Sequence, residues 1–157
     1  MKKELTGKWL LRQLDKDEWI DAIVPGCNYT DLMNAGKIED PFISMNEKDA
    51  YWVAEKDWEY KKTFEVTEKE LQNQKIFLNF DMLDTICDIY LNDELLGKGE
   101  NCHIKYTFDV KDMLKEGEND IRIVFYSPVN YVKERYENEK TPPNCNGQNG
   151  IIIMRKP

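Results

Sequence analysis

The sequence holds one histidine, His103, and its four cysteines, Cys27, Cys87, Cys102 and Cys145, form no CxxC pair. Structural zinc sites draw on clustered Cys and His at short spacing, so no metal site is expected. Cys102 and His103 are adjacent. On a strand such neighbours point to opposite faces, so they are not expected to act as a nucleophile–base pair. No GxSxG elbow and no phosphate-binding glycine loop is present, and no cofactor is expected. No apolar stretch approaches the roughly 20 residues of a membrane span. A basic surplus is also lacking: 22 Lys and Arg face 30 Asp and Glu, for a net charge of -8. That balance argues against nucleic acid or an anionic membrane as partner. Nor does the start form a secretory signal. Lys2 and Lys3 precede only the short apolar cluster Trp9 to Leu11, and Arg12 and Asp15 follow. The start therefore reads as mature and the setting as cytoplasmic, with the cysteines as reduced thiols.

What the chain does contain is one domain's worth of alternating strands. Its 157 residues, 41% hydrophobic and 33% charged, suit a single soluble domain over residues 1–157. In WEYKKTFEV, Trp58, Tyr60, Phe64 and Val66 alternate with Glu59, Lys61, Thr63 and Glu65. A period of two predicts a half-buried strand, with the aromatics inward and the charges outward. KIFLNFDML places Ile76, Leu78, Phe80 and Met82 on one side and Phe77 and Leu83 on the other, which predicts a more central strand. TICDIYLN, HIKYTFDV and NDIRIVFYS predict three further strands. Asn92 and Asp93 tolerate left-handed backbone angles and suit a tight hairpin. Gly117 to Asn119 read as a turn.

Helix is minor. Thr30 can cap a short helix ended by Gly36, and Asn46 can cap another around EKDAYWVA. Residues 129–140 after Pro128 predict a surface helix with Val129, Val132 and Tyr136 on one face. Residues 141–150 read as a loop. Short strands without alternating long helices imply an all-β antiparallel sandwich with a few short helices.

The acidic residues at 15–18 and 137–139 read as solvated surface. Nothing marks a glycosidase pair of carboxylates, so no catalytic residue is assigned. Aromatic rings can stack on sugar faces. Trp58 and Tyr60 share the inward side of a strand and read as core. Tyr51 and Trp52 lie outside the alternation and are the candidate substrate-binding residues. The chain closes on NGIIIMRKP. An apolar run beside an end contrasts with the usual polar, frayed terminus, and predicts that the chain stops partway through its domain.

One ordered series of short motifs goes further. Val24-Pro25-Gly26, Thr30-Asp31-Leu32, Ala35-Gly36, Asp40-Pro41-Phe42, Asn46-Glu47, Trp52 and Asp57-Trp58-Glu59-Tyr60 follow one another, and Leu83-Asp84-Thr85, Tyr90-Leu91-Asn92, Phe108, Gly117 and Ser127 continue the order. The series resembles the N-terminal domain of the beta-mannosidases of glycoside hydrolase family 2, over nearly the whole chain. Asp93 stands where the family often has Gly, so a different hairpin type is expected there.

The resemblance implies a galactose-binding-like jelly roll, cut before its last strands. It implies a parent enzyme that removes terminal non-reducing β-mannose with retention, using two glutamates on a later (β/α)₈ barrel. Partners would be the remaining immunoglobulin-like and TIM-barrel domains, and β-mannoside oligosaccharides through the whole enzyme. The isolated chain would be inactive and would tend to self-associate, through an unpaired sheet edge or the run Ile151 to Met154. Two other readings stay open at this point: a free-standing carbohydrate-binding module, and the same domain from a beta-galactosidase or beta-glucuronidase relative.

Overall fold

The computed structural model describes residues 2–139, and of residues 136–139 only the backbone. The expected loop at 141–150, Cys145, the side chain of Tyr136 and the run Ile151 to Met154 lie outside the described residues.

Among the described residues, eight antiparallel strands form two sheets: β1 Gly7–Gln13, β2 Ile20–Val24, β3 Trp58–Val66, β4 Phe77–Phe80, β5 Cys87–Leu91, β6 Glu94–Gly99, β7 Tyr106–Asp109 and β8 Gly117–Phe125. The larger sheet runs β2-β1-β3-β8-β5-β6, and β4 pairs with β7 in the smaller one. Helices α1 Asn28–Asn34, α2 Asn46–Asp49, α3 Glu68–Leu71 and α4 Pro128–Glu139 lie between or after these strands, with a 3₁₀ turn at Tyr51–Glu55. The all-β expectation therefore holds, and the reason is visible along β3 and β8. Trp58, Tyr60, Ile121, Ile123 and Phe125 face one way. They meet Trp9, Leu11, Cys87 and Ile89 in the core, against which Leu78, Phe80, Tyr106 and Phe108 of the smaller sheet pack. Burial of the Cys87 thiol pushes its pKa up to about 11.

The β5–β6 connection is a two-residue hairpin. Leu91 pairs with Glu94, and Asn92 and Asp93 both have positive φ, 50° and 66°. Asp93 thus meets the left-handed requirement that glycine usually fills. Asn92 also fixes the turn from its side chain, donating to the Met113 carbonyl and accepting from Asp120 N.

Several boundaries differ from expectation. The sequence pattern left β1 and β2 unassigned. Both form because Trp9, Leu11 and Ala22 reach the core while Leu10, Arg12 and Asp21 face outward. β4 is four residues long and pairs only with β7 among the described residues, so it is not central. Met82 is exposed, and the chain turns so that Leu83 enters the core instead. β7 begins at Tyr106, leaving Cys102 and His103 in the turn before it, where strand alternation does not apply. Gly117 to Asn119 belong to β8. The turn signal there has a physical source: buried Asn119 donates to the Lys115 and Gly117 carbonyls, closing the preceding turn while its backbone joins the ladder.

Helix α3 carries a reciprocal capping box. The Thr67 hydroxyl accepts from Glu70 N, and the Glu70 carboxylate accepts from Thr67 N at 2.7 Å. The Thr67 N–H, with Lys3 and the Thr67 hydroxyl, holds the Glu70 pKa down to about 2. A depressed carboxylate contributes stability above its unfolded value, and loses it as pH falls through the folded value. An NMR titration is therefore expected to place Glu70 near 2, and Thr67→Ala to raise it only in part, because alanine keeps the backbone N–H and Lys3 is untouched. A wild-type midpoint in the ordinary range near about 4.3 would contradict the box.

Candidate functional site

The chain leaves the sheets for one long excursion, from Pro25 to Asp57 between β2 and β3, and most of the motif series lies on it. Its start is sterically defined. A Cβ at Gly26 would run into the Ile23 carbonyl oxygen, so the backbone can only take this path with glycine. Helix α1 follows at Asn28 after Cys27, not at Thr30; Thr30 sits inside it, with its hydroxyl 3.3 Å from the Cys27 sulfur. The helix closes in a Schellman arrangement, Lys37 N to Leu32 O and Gly36 N to Met33 O, with Gly36 at φ 66°.

Asp31 is the buried anchor of this segment. Its carboxylate accepts from Ile23 N at 3.1 Å and from the Tyr60 hydroxyl at 3.2 Å, tying α1 to β2 and β3. Burial raises the Asp31 pKa, and the two hydrogen bonds oppose that shift. Burial, and then the Asp31 charge, push the Tyr60 phenol far above its usual range, so it donates as a neutral hydroxyl.

Beyond α1 the loop is held by its own polar groups. The Asp40 carboxylate accepts from Phe42 N at 2.9 Å, and its carbonyl accepts from Ile43 N and from the Asn46 side chain. Asn46 therefore reaches back to Asp40 instead of capping α2, whose cap position is Met45. The 3₁₀ turn is fixed from both sides. Trp58 Nε1 donates to the Val53 carbonyl at 2.9 Å, and the Ser127 hydroxyl donates to the Ala54 carbonyl at 2.7 Å. Asp57 accepts from Ser127 N, and Ser127 accepts from Asn130 N as the cap of α4, with Pro128 in the first helical position. So Asp31, Asp40, Asn46, Asp57, Trp58, Tyr60 and Ser127, all residues of the motif series, act here as a scaffold.

What the scaffold presents is apolar. Phe42 is 96% exposed, Ile43 60% and Met45 55%, with Ser44 between them at φ 56°. Of the two aromatic candidates, Tyr51 is exposed, with its hydroxyl 3.4 Å from Glu47. Trp52 is half-buried against the core, 6.0 Å from the Trp58 ring. Trp58 is a core residue and Tyr60, partly buried, packs against the core, both on the inward side that the alternation implies. A separate open cleft of about 370 Å³ lies beside the 3₁₀ turn, lined by Leu14, Asp15, Glu55, Lys56, Asp57 and Asn130. Neither Tyr51 nor Trp52 lines it.

One polar centre escaped the sequence pattern. Glu59, placed outward by the alternation, is fully buried on the outer face of the larger sheet. Its two oxygens accept from Arg12 Nε at 2.5 Å and Arg122 Nη1 at 2.7 Å. The Arg12 guanidinium lies over Trp19 at 4.7 Å and that of Arg122 over Tyr90 at 4.8 Å, so aromatic rings shield the cluster. Only the pairing of Arg12 with Glu59 across β1 and β3 could have signalled it.

The two packed antiparallel sheets, with a long scaffolded excursion that leaves the larger sheet at the Gly7–Val24 end and rejoins it at the Gln13–Trp58 end, define a β-sandwich of the galactose-binding-like class. The family described as glycosyl hydrolase 2 galactose-binding domain-like matches residues 9–157, and the chain belongs to it. The beta-mannosidase of Capra hircus is 34% identical, over 97% of this chain and 18% of its own length. The probable beta-mannosidase of Caenorhabditis elegans is 32% identical, over 90% of this chain and 16% of its own. A solved beta-D-mannosidase from Dictyoglomus thermophilum superposes with a TM-score of 0.89 at 37% identity, over 93% of this chain and 18% of that one. The beta-D-glucuronidase of the same organism, at 21% identity and a TM-score of 0.61, shares the fold. The chain thus spans less than a fifth of the length of these relatives.

Proposed function

We propose that this chain is the N-terminal domain of a beta-mannosidase that releases terminal non-reducing β-D-mannose with retention. In this reading residues 1–157 form an incomplete sandwich, and the domain supports the active-site pocket while chemistry occurs elsewhere. A retaining mechanism needs two carboxyl groups about 5–5.5 Å apart. The barrel domain would supply them, and the immunoglobulin-like domains would complete the enzyme around it. The observation that carries the reading is the match to the Dictyoglomus thermophilum beta-D-mannosidase, 37% identical against 21% for the glucuronidase.

Tyr51 and Trp52 are the aromatics proposed to approach substrate, and the exposure of Tyr51 supports its role. A reducing, cytoplasmic setting belongs to the same reading. No helix among the described residues is long and apolar enough to cross a membrane.

The test is hydrolysis of nitrophenyl β-mannoside, galactoside and glucuronide by the full-length gene product and by the 157-residue chain. The full-length protein is expected to cleave the mannoside preferentially, and the chain alone to cleave none. Turnover by the chain, or preference for another glycoside, would overturn the reading.

A further inference from the structure

Fixed loops that expose large apolar side chains stand out on a domain with 33% charged residues. The segment from Asp40 to Asn46 is such a loop. Its backbone is set by Asp40, Asn46 and the Ile43 and Met45 carbonyls, so Phe42, Ile43 and Met45 are held in place while pointing at solvent.

We infer that this loop, an apolar patch with acidic flanks, is the surface on which the rest of the full-length polypeptide docks, through an apolar face with a basic rim of its own. The inference rests on the multidomain reading above. Three observations favour this occupant over a second copy of the chain. The relatives carry more than four fifths of their length beyond the matching region, so a tethered partner is available in each. Phe42, Ile43 and Met45 are three exposed apolar side chains, few beside the roughly 20–30 residues a side that a stable complex of separate molecules buries. A tethered domain needs less contact, because its effective concentration is high. The loop's flanks are acidic, with Glu39, Asp40, Glu47 and Asp49 outnumbering Lys37 and Lys48. Two copies would bring like charges together, whereas a basic rim would complement them.

Peroxide oxidation of Met45, followed by peptide mass analysis, tests this in the full-length protein and the 157-residue chain. Met45 is expected to oxidise about tenfold more slowly in the full-length protein, since sulfoxide formation follows exposure. The double variant Phe42→Ser, Ile43→Ser is expected to leave the melting temperature of the chain unchanged, because these side chains bury little there. In the full-length protein it is expected to lower the inactivation temperature by several degrees. If the full-length protein cleaves β-mannoside while Met45 reacts as fast as in the chain, the docking inference fails and the functional reading stands. If Met45 is protected but no mannoside is cleaved, the functional reading fails and the docking stands. Protection in the isolated chain that disappears on dilution would assign the loop to a second copy and overturn the inference.

Discussion

Glu59→Ala is expected to destabilise the domain by about 3–5 kcal/mol, the cost of breaking a buried ion pair from one side. The Glu59 side chain is 1% exposed and takes one bond from each of two guanidiniums. Its removal leaves Arg12 and Arg122 on the half-buried outer face with their charge uncompensated. Asp17 and Asp93 touch the same two arginines at 3.2 and 3.3 Å, but both are well exposed and cannot replace a buried carboxylate. The Arg12→Ala, Arg122→Ala double variant offers a contrast. It removes the cations and strands the glutamate, so it should also be costly. The triple variant with Glu59→Leu, which removes every buried charge, should recover part of the loss. Urea unfolding of the 157-residue chain reads all three. A loss below about 1 kcal/mol for Glu59→Ala, the size of a surface ion pair, would show that the cluster is not structural.

Trp58→Ala is expected to cost about 3–5 kcal/mol, the range for deleting a large buried aromatic. The ring is buried at the end of β3, beside Trp52, and its Nε1 holds the Val53 carbonyl of the 3₁₀ turn. Because that turn anchors the end of the excursion, the loss should concentrate there. Hydrogen exchange is expected to quicken at the amides of Val53 and Lys56 more than in the β5–β6 hairpin. Trp58→Phe keeps most of the packing and loses the hydrogen bond, so about 1–2 kcal/mol is expected. Equal costs for Phe and Ala would mean that the Val53 bond, and not ring volume, carries the effect.

These two positions are neighbours in sequence, yet they differ in how far the sequence alone could place them. Trp58 was legible. It alternates with polar residues in a run whose period is two, so its inward face follows from strand geometry. The Asn92-Asp93 hairpin was legible for a similar reason, since left-handed tolerance is a property of the residue. The order of motifs from Val24 to Ser127 identified the family, because an ordered series over most of a chain needs no knowledge of contacts. All of these are local or linear properties.

Glu59 was not legible. Alternation states which face a residue takes. It does not state whether that face carries two arginines 47 and 63 residues away that cover it. The same limit explains Phe42, whose apolar character suggests burial and whose position on a self-bonded loop leaves it exposed. It also explains Asp31, read as part of a helix and found as a buried acceptor joining α1, β2 and β3. Local chemistry by itself determined the alternating strands from β3 onward, the tight turn and the family, but not β1 and β2. Strand register and the path of the excursion, which depend on long-range pairing and packing, decided which polar groups are buried together and which apolar ones are left facing outward.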